Sequence, residues 1–200
     1  MKDKVTGAGR RKAWRYCIEA GILLTVLAVV TMALRYGYQR YMRSAYPIKY
    51  GEYVETYADT YGITPSLIYA MIRTESEFDP NVVSRAQAKG LMQIKDETFA
   101  WVQMRAGEKE PFPPEKLFDP EINIHYGVCY MRLLLEQFSD TDTMIAAYNA
   151  GPTRVSEWLD NTAYSQDGKT LYHIPYEETL NYVERVRKAQ EMYRTLYDLE

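Results

Sequence analysis

The stretch YAMIRTESEFDP, Tyr69 to Pro80, places three carboxylates within five residues: Glu75, Glu77 and Asp79. Such groups can act as general acid or base, so the direction each one faces decides what they can do together. Ile68, Met71 and Glu75 recur at the spacings of one helical face, whereas Glu77 lies about 200° around the axis from Glu75. One glutamate is therefore expected to point inward and the other away. Asp79 falls beyond the expected helix end, where spacing does not define its direction. An inward Glu75 is costly if charged and unpaired, so it needs a buried donor such as an arginine, or a water-filled cleft. A packed ion pair and a catalytic acid are both open on these residues alone.

Positioning such a group falls to helices. GEYVETYADTYG reads as a short helix closed by Gly62. Thr64 as N-cap and Pro65 at the first helical position then open the helix that carries Glu75, and Phe78, Asp79 and Pro80 end it. Asp119 and Pro120 open another, with Ile124, Val128, Met131, Leu135 and Phe138 as its apolar stripe and Gly127 permitting a close neighbour. Gly151 and Pro152 end one helix and begin the next. Pro175 is expected to open the last, with Leu180, Val183 and Val186 on one side. PFPPEK, Pro111 to Lys116, reads as a surface loop. No strand-like alternation of comparable length occurs, so the fold class is all-α.

The chain has 200 residues, 46% hydrophobic and 14% aromatic, enough for one core. Its net charge of -3 is unevenly divided. Lys2, Lys4, Arg10, Arg11, Lys12 and Arg15 against Asp3 put the first sixteen residues at +5, which leaves the remainder at -8. An acidic body argues against nucleic acid as a partner. Next comes YCIEAGILLTVLAVVTMAL, Tyr16 to Leu34, whose 19 or so residues would cover about 28 Å as a helix, near the thickness of a bilayer's hydrocarbon core. No small-x-small cleavage site follows Leu34, so a retained signal anchor is expected rather than a cleaved signal. The basic excess before the span favours a cytoplasmic head and an exported body. The expected divisions are a basic head (1–15), a transmembrane anchor (16–34), a juxtamembrane linker (35–48) and a catalytic domain (49–200). Cys17 and Cys129 fall in different divisions and are expected to be unpaired.

The ordered set TES-F-DP, GLMQI, AYNAG and IPYEETLNYV resembles the catalytic domain of the soluble lytic transglycosylase family, over most of Gly51 to Val186. The resemblance implies a lysozyme-like helical fold and cleavage of peptidoglycan glycan strands. It assigns Glu75 as the catalytic acid, with Ser76 supporting the site. It places Ser84, Met92 and Gln93 around the sugar cleft, with Tyr148, Asn149 and Tyr182 facing the catalytic region. Each also has a plainer role: Gln93 could brace neighbouring backbone, Tyr148 and Asn149 could hold a helix–loop junction, and Tyr182 is one of nineteen tyrosines. Glu177 and Glu178 read first as helix-start residues that complement the helix dipole. Two positions depart from the family pattern: Gln87-Ala88 stand where a Gly-Ala pair is common, and Lys95-Asp96 where an apolar-Pro pair is common. Asp96 could cap the following helix.

The chemistry implied is protonation of the glycosidic oxygen by Glu75 and closure of the muramic sugar's own C6 hydroxyl onto C1, giving a 1,6-anhydro end. An attacker already attached to the sugar makes a second carboxylate unnecessary. A hydrolytic muramidase and a non-catalytic peptidoglycan-binding protein remain as alternatives. A metal hydrolase built on His125, Cys129 and His173 is a weaker one, because the spacing defines no complete site. No cofactor and no metal are expected. The expected partners are peptidoglycan glycan strands, the membrane through residues 16–34, and cell-wall machinery in which an anchored enzyme would work. The expected location is the cell membrane, crossed once.

Overall fold

The computed structural model describes residues 7–199, so Met1 to Thr6 of the expected basic head and Glu200 lie outside the described residues. The chain divides into two units, Met1–Ala45 and Tyr46–Glu200. The first contains one helix, α1 (Gly7–Ala45). It runs without a break through residues 35–45, which the sequence suggested as a linker. Arg35, Gln39, Arg40 and Arg43 are good helix formers, Gly37 stays inside the helix, and the next proline, Pro47, comes only after the helix has ended. Ile22, Leu23, Leu27, Val29, Met32 and Leu34 are all exposed on it. The segment Lys12–Ala45 is long and apolar enough to cross a membrane.

The second unit holds α2 (Gly51–Tyr61), α3 (Pro65–Ser76), α4 (Asp96–Ala106), a short 3-10 helix (Pro114–Phe118), α5 (Pro120–Phe138), α6 (Thr141–Ala150), α7 (Pro152–Leu159) and α8 (Glu177–Tyr197). Among the described residues only isolated bridges, Val83 with Lys89 and Lys89 with Ile94, interrupt the all-α pattern. α3 is the central helix: Leu67, Ile68, Tyr69, Ala70, Met71 and Ile72 are all buried, so it is apolar nearly all round. It packs chiefly on α8, while α5 packs on α2, α4 and α6.

Local chemistry explains most helix ends. Gly62 closes α2 and Gly107 closes α4, both in the left-handed region at φ 63° and 81°. The Asp119 carboxylate accepts from the Glu121 N–H, and Asp140 likewise caps α6 through Thr143. Thr64 makes no side-chain cap to α3. Asp96 is not a cap either: α4 starts with it, and both its oxygens accept from Lys89 Nζ at 2.7 and 2.8 Å. α8 begins at Glu177 rather than Pro175, because Tyr176 is still extended. Two inward positions also differ from expectation. Leu134 rather than Leu135 is buried on α5, and Leu180 of α8 is 37% exposed while Thr179, Tyr182, Val183 and Val186 face in. Leu117 of the 3-10 helix is fully buried, so the expected surface loop is anchored at its end.

The loop between α3 and α4 carries GLMQI and is held by one residue of α5. Asn123 donates from Nδ2 to the Lys89 and Leu117 carbonyls at 3.0 and 2.8 Å, and its Oδ1 accepts from the Met92 N–H at 2.8 Å. Gly90 sits against this amide at φ 74°. Met92 packs on Gly127, where a side chain would overlap its sulfur, so the glycine's close neighbour is the GLMQI loop itself.

Candidate active site

Glu75 lies in the last turn of α3, at the floor of a groove of about 500 Å³. α3, the following loop, α4, α5, α6 and the start of α8 all contribute to its walls. The Tyr182 hydroxyl, one turn into α8, donates to Glu75 Oε1 at 2.5 Å. Burial pushes the Glu75 pKa up from 4.5 to about 7, against opposing pulls from the Tyr182 hydrogen bond and the Arg185 charge. Desolvation thus outweighs both, and the group keeps a substantial protonated fraction up to near neutral pH. Burial also drives the Tyr182 and Tyr148 hydroxyls well above their ordinary range, so both remain hydrogen-bond donors.

Glu77 and Asp79 do not join this site. Glu77 is exposed and closes α3 in the left-handed region at φ 51°, while exposed Asp79 accepts from the Asn81 N–H at 2.9 Å. The inward and outward assignments of the two glutamates therefore match their spacing.

Ser84, Gln93, Tyr148 and Asn149 line the groove with Glu75. Gln93 does this while bracing the loop: its Nε2 donates to the Val82 and Gly90 carbonyls at 3.1 and 2.9 Å. Ser84 Oγ accepts from the Ala88 N–H, which closes the turn ahead of GLMQI. The Tyr148 hydroxyl donates to the Met92 carbonyl at 2.7 Å, and Asn149 Oδ1 accepts from Thr179 at 2.9 Å. Two residues named for the site stand behind the groove wall and not in it. Ser76 is buried and donates to the Leu91 carbonyl at 2.8 Å, so it ties α3 to the GLMQI loop and does not line the groove. Met92 is fully buried and presents no side chain to the groove, because its thioether fills the space over Gly127.

Tyr130, Thr98, Glu97 and Glu178 also line the groove and were not assigned to it from the sequence. For Glu178 a signal existed: it precedes Tyr182 by four residues, the spacing of one helical face. Tyr130 carries no comparable mark in a tyrosine-rich chain.

Residues 52–171 match the family described as Transglycosylase SLT domain. The chain belongs to that family. It is 34% identical over 156 residues to the soluble lytic murein transglycosylase of Escherichia coli strain K12, covering 77% of this chain and 24% of that relative. It is 35% identical over 164 residues to membrane-bound lytic murein transglycosylase C of Histophilus somni strain 2336, covering 72% of this chain and 45% of the relative. Among solved structures, the 70 kDa soluble lytic transglycosylase of Escherichia coli superposes with a TM-score of 0.69 at 32% identity, over 77% of this chain and 25% of the other. An inactive glutamate-to-glutamine mutant of lytic transglycosylase Slt from Pseudomonas aeruginosa gives a TM-score of 0.67 at 28% identity, over 76% of this chain and 25% of that one. The chain thus spans about a quarter of the soluble relatives' length. The fold is the lysozyme-like helical one expected for an SLT domain.

Within the SLT domain, the Lys89–Asp96 pair accounts for one departure from the family pattern. Lys95-Asp96 replaces the apolar-Pro pair, and the Asp96 carboxylate clasps the loop to the start of α4 by an ion pair. The residues of the metal reading are engaged otherwise. His125 Nε2 is 2.8 Å from the Tyr61 hydroxyl and its ring stacks on Tyr57 at 4.5 Å, while His173 packs beside Tyr164. Cys129 is buried, and both cysteines are unpaired.

Proposed function

We propose that the unit Tyr46–Glu200 is a peptidoglycan lytic transglycosylase with Glu75 as its acid and base. The observation that carries this reading is a groove-lining carboxyl whose pKa burial raises to about 7, with a tyrosine hydroxyl fixed on it at 2.5 Å. The relatives' names support the reaction class, as does the inactive glutamate-to-glutamine mutant among the structural relatives. Glu75 gives its proton to the glycosidic oxygen between N-acetylmuramic acid and N-acetylglucosamine, and the bond from that oxygen to C1 breaks. The C6 hydroxyl of the muramic sugar then closes on C1 and its proton returns to Glu75, so no water is consumed. Tyr182 orients the carboxyl for both transfers. Gln93, Tyr148, Asn149 and Ser84 form the walls against which the strand lies, with Ser76 and Met92 supporting them from behind.

A hydrolytic course has one observation in its favour, since Glu97 and Glu178 also line the groove and two-carboxylate schemes need a second acidic group. Product mass separates the two. New ends made from purified wall material should be lighter than reducing ends by one water, roughly 18 Da, because the C6 hydroxyl takes the place of water. Reducing ends alone would replace transglycosylation by hydrolysis.

We infer further that α1 anchors the enzyme in a membrane with residues 1–15 cytoplasmic and Tyr46–Glu200 on the wall side. Its length, its exposed apolar surface and the basic excess before residue 16 support this. Protease added outside wall-stripped cells should digest the body, and a fully protected body would reverse the orientation.

A further inference from the structure

A row of aromatic rings leads outward from the groove wall. Tyr148 and Tyr130 line the groove with their centroids 5.1 Å apart, and Trp101 meets Tyr130 edge to face at 6.1 Å. Trp101 is 41% exposed. It follows Glu97 and Thr98 on α4 by four and three residues, so it stands on the helical face that lines the groove, about 5 Å farther along the axis. Single exposed aromatics are ordinary on protein surfaces. What distinguishes Trp101 is its edge-to-face contact with Tyr130, which lines the groove. Its surroundings are polar: Glu97 and Thr98 lie one turn back, and one turn on, the Arg105 guanidinium is 5.9 Å from its ring centroid. An aromatic face with hydrogen-bonding groups at its edge suits a pyranose, whose C–H face is apolar and whose rim carries hydroxyl and acetamido groups. A purely apolar peptide would leave those donors unmatched.

We propose that Trp101 is an outer platform of the groove, on which a sugar ring of the glycan strand stacks beyond those nearest Glu75, with Arg105 donating to that ring's substituents. The proposal rests on the groove being a glycan-strand site. Tyr130 acts as the buttress that fixes the indole, and it is itself held against Tyr148.

The test uses the full chain in detergent with Glu75→Gln to stop turnover, and calorimetric binding of purified peptidoglycan glycan strands and of a single disaccharide unit. Adding Trp101→Ala should weaken strand binding about tenfold, as expected for truncating an aromatic anchor, with Trp101→Phe recovering most of the loss. Disaccharide binding should change much less, because a single unit beside Glu75 does not reach the platform. Unchanged strand affinity in Trp101→Ala overturns the proposal. So does an equal loss for disaccharide and strand, or no recovery with Trp101→Phe, since either indicates disturbed packing. If the chain with Trp101 intact binds no strands, the glycan reading of the groove falls, and the platform with it.

Discussion

Glu75→Gln is expected to lower cleavage of wall glycan by at least about 100-fold while strand binding persists. The substitution keeps the size and much of the hydrogen-bonding capacity of the side chain but removes the proton it donates and recovers, and positioned acid–base catalysis contributes about 100-fold or more. The same variant should gain stability in alkali. Folding raises the Glu75 pKa from 4.5 to about 7, so the folded protein holds this proton more tightly than the unfolded chain. The associated stability is fully present below about pH 4.5 and is lost as pH rises through about 7, a difference of up to about 3 kcal/mol. At pH 8 the glutamine variant should therefore unfold at a higher temperature than the parent, with little such advantage at pH 4. Tyr182→Phe removes a hydrogen bond that pulls the pKa down, so its activity should decline with pH at a higher pH than the parent's. Glu77→Gln, at an exposed position, should leave cleavage nearly intact. Near-normal cleavage by Glu75→Gln would remove it as the acid. An identical pH dependence of stability in parent and variant would show that burial does not hold its proton.

The inward direction of Glu75 was legible from helical period alone, and so were the ends at Gly62, Asp119-Pro120 and Gly151-Pro152, because each depends on neighbouring residues. Its partner was not. Tyr182 is 107 residues away and reaches Glu75 only because α8 packs on α3, so only the family resemblance pointed to it. The same division explains Met92. Within GLMQI nothing local says which of two adjacent side chains turns outward. Gln93 takes the left-handed region at φ 49°, and Met92 turns in toward the gap at Gly127 on a helix more than thirty residues later. Leu135 and Leu180 failed for a related reason: each sits at the margin of its stripe, and the packing partner decides which residue of a neighbouring pair is buried. Trp101 and Tyr130 lie in separate helices, so their row exists only in the fold.

The groove depends on a loop pinned at Gly90, which makes Gly90→Ala the substitution expected to cost the most stability. A side-chain carbon there would lie 2.2 Å from the Leu117 carbonyl oxygen and 2.3 Å from Asn123 Nδ2. Neither neighbour yields cheaply, since the carbonyl is backbone and the Asn123 amide is committed to three hydrogen bonds. Strain at positive φ adds about 1 kcal/mol, overpacking about 1–3, and a broken buried hydrogen bond about 1–3, so a total of about 3–7 kcal/mol is expected. For a unit of this size that lowers the unfolding temperature by about 10–20 °C. Gly168→Ala is the informative comparison. Gly168 has a similar φ of 67° but nothing within 4 Å of the added carbon, so it should lose only the backbone part, about 1 kcal/mol. Cleavage should separate the two variants as well. Displacing Asn123 releases the Met92 N–H, and the Met92 carbonyl holds Tyr148, so Gly90→Ala should disturb the groove wall even below its unfolding temperature, whereas Gly168→Ala should not. Equal losses of stability in the two variants would mean that backbone strain alone governs Gly90 and that the Asn123 clamp does not hold the GLMQI loop.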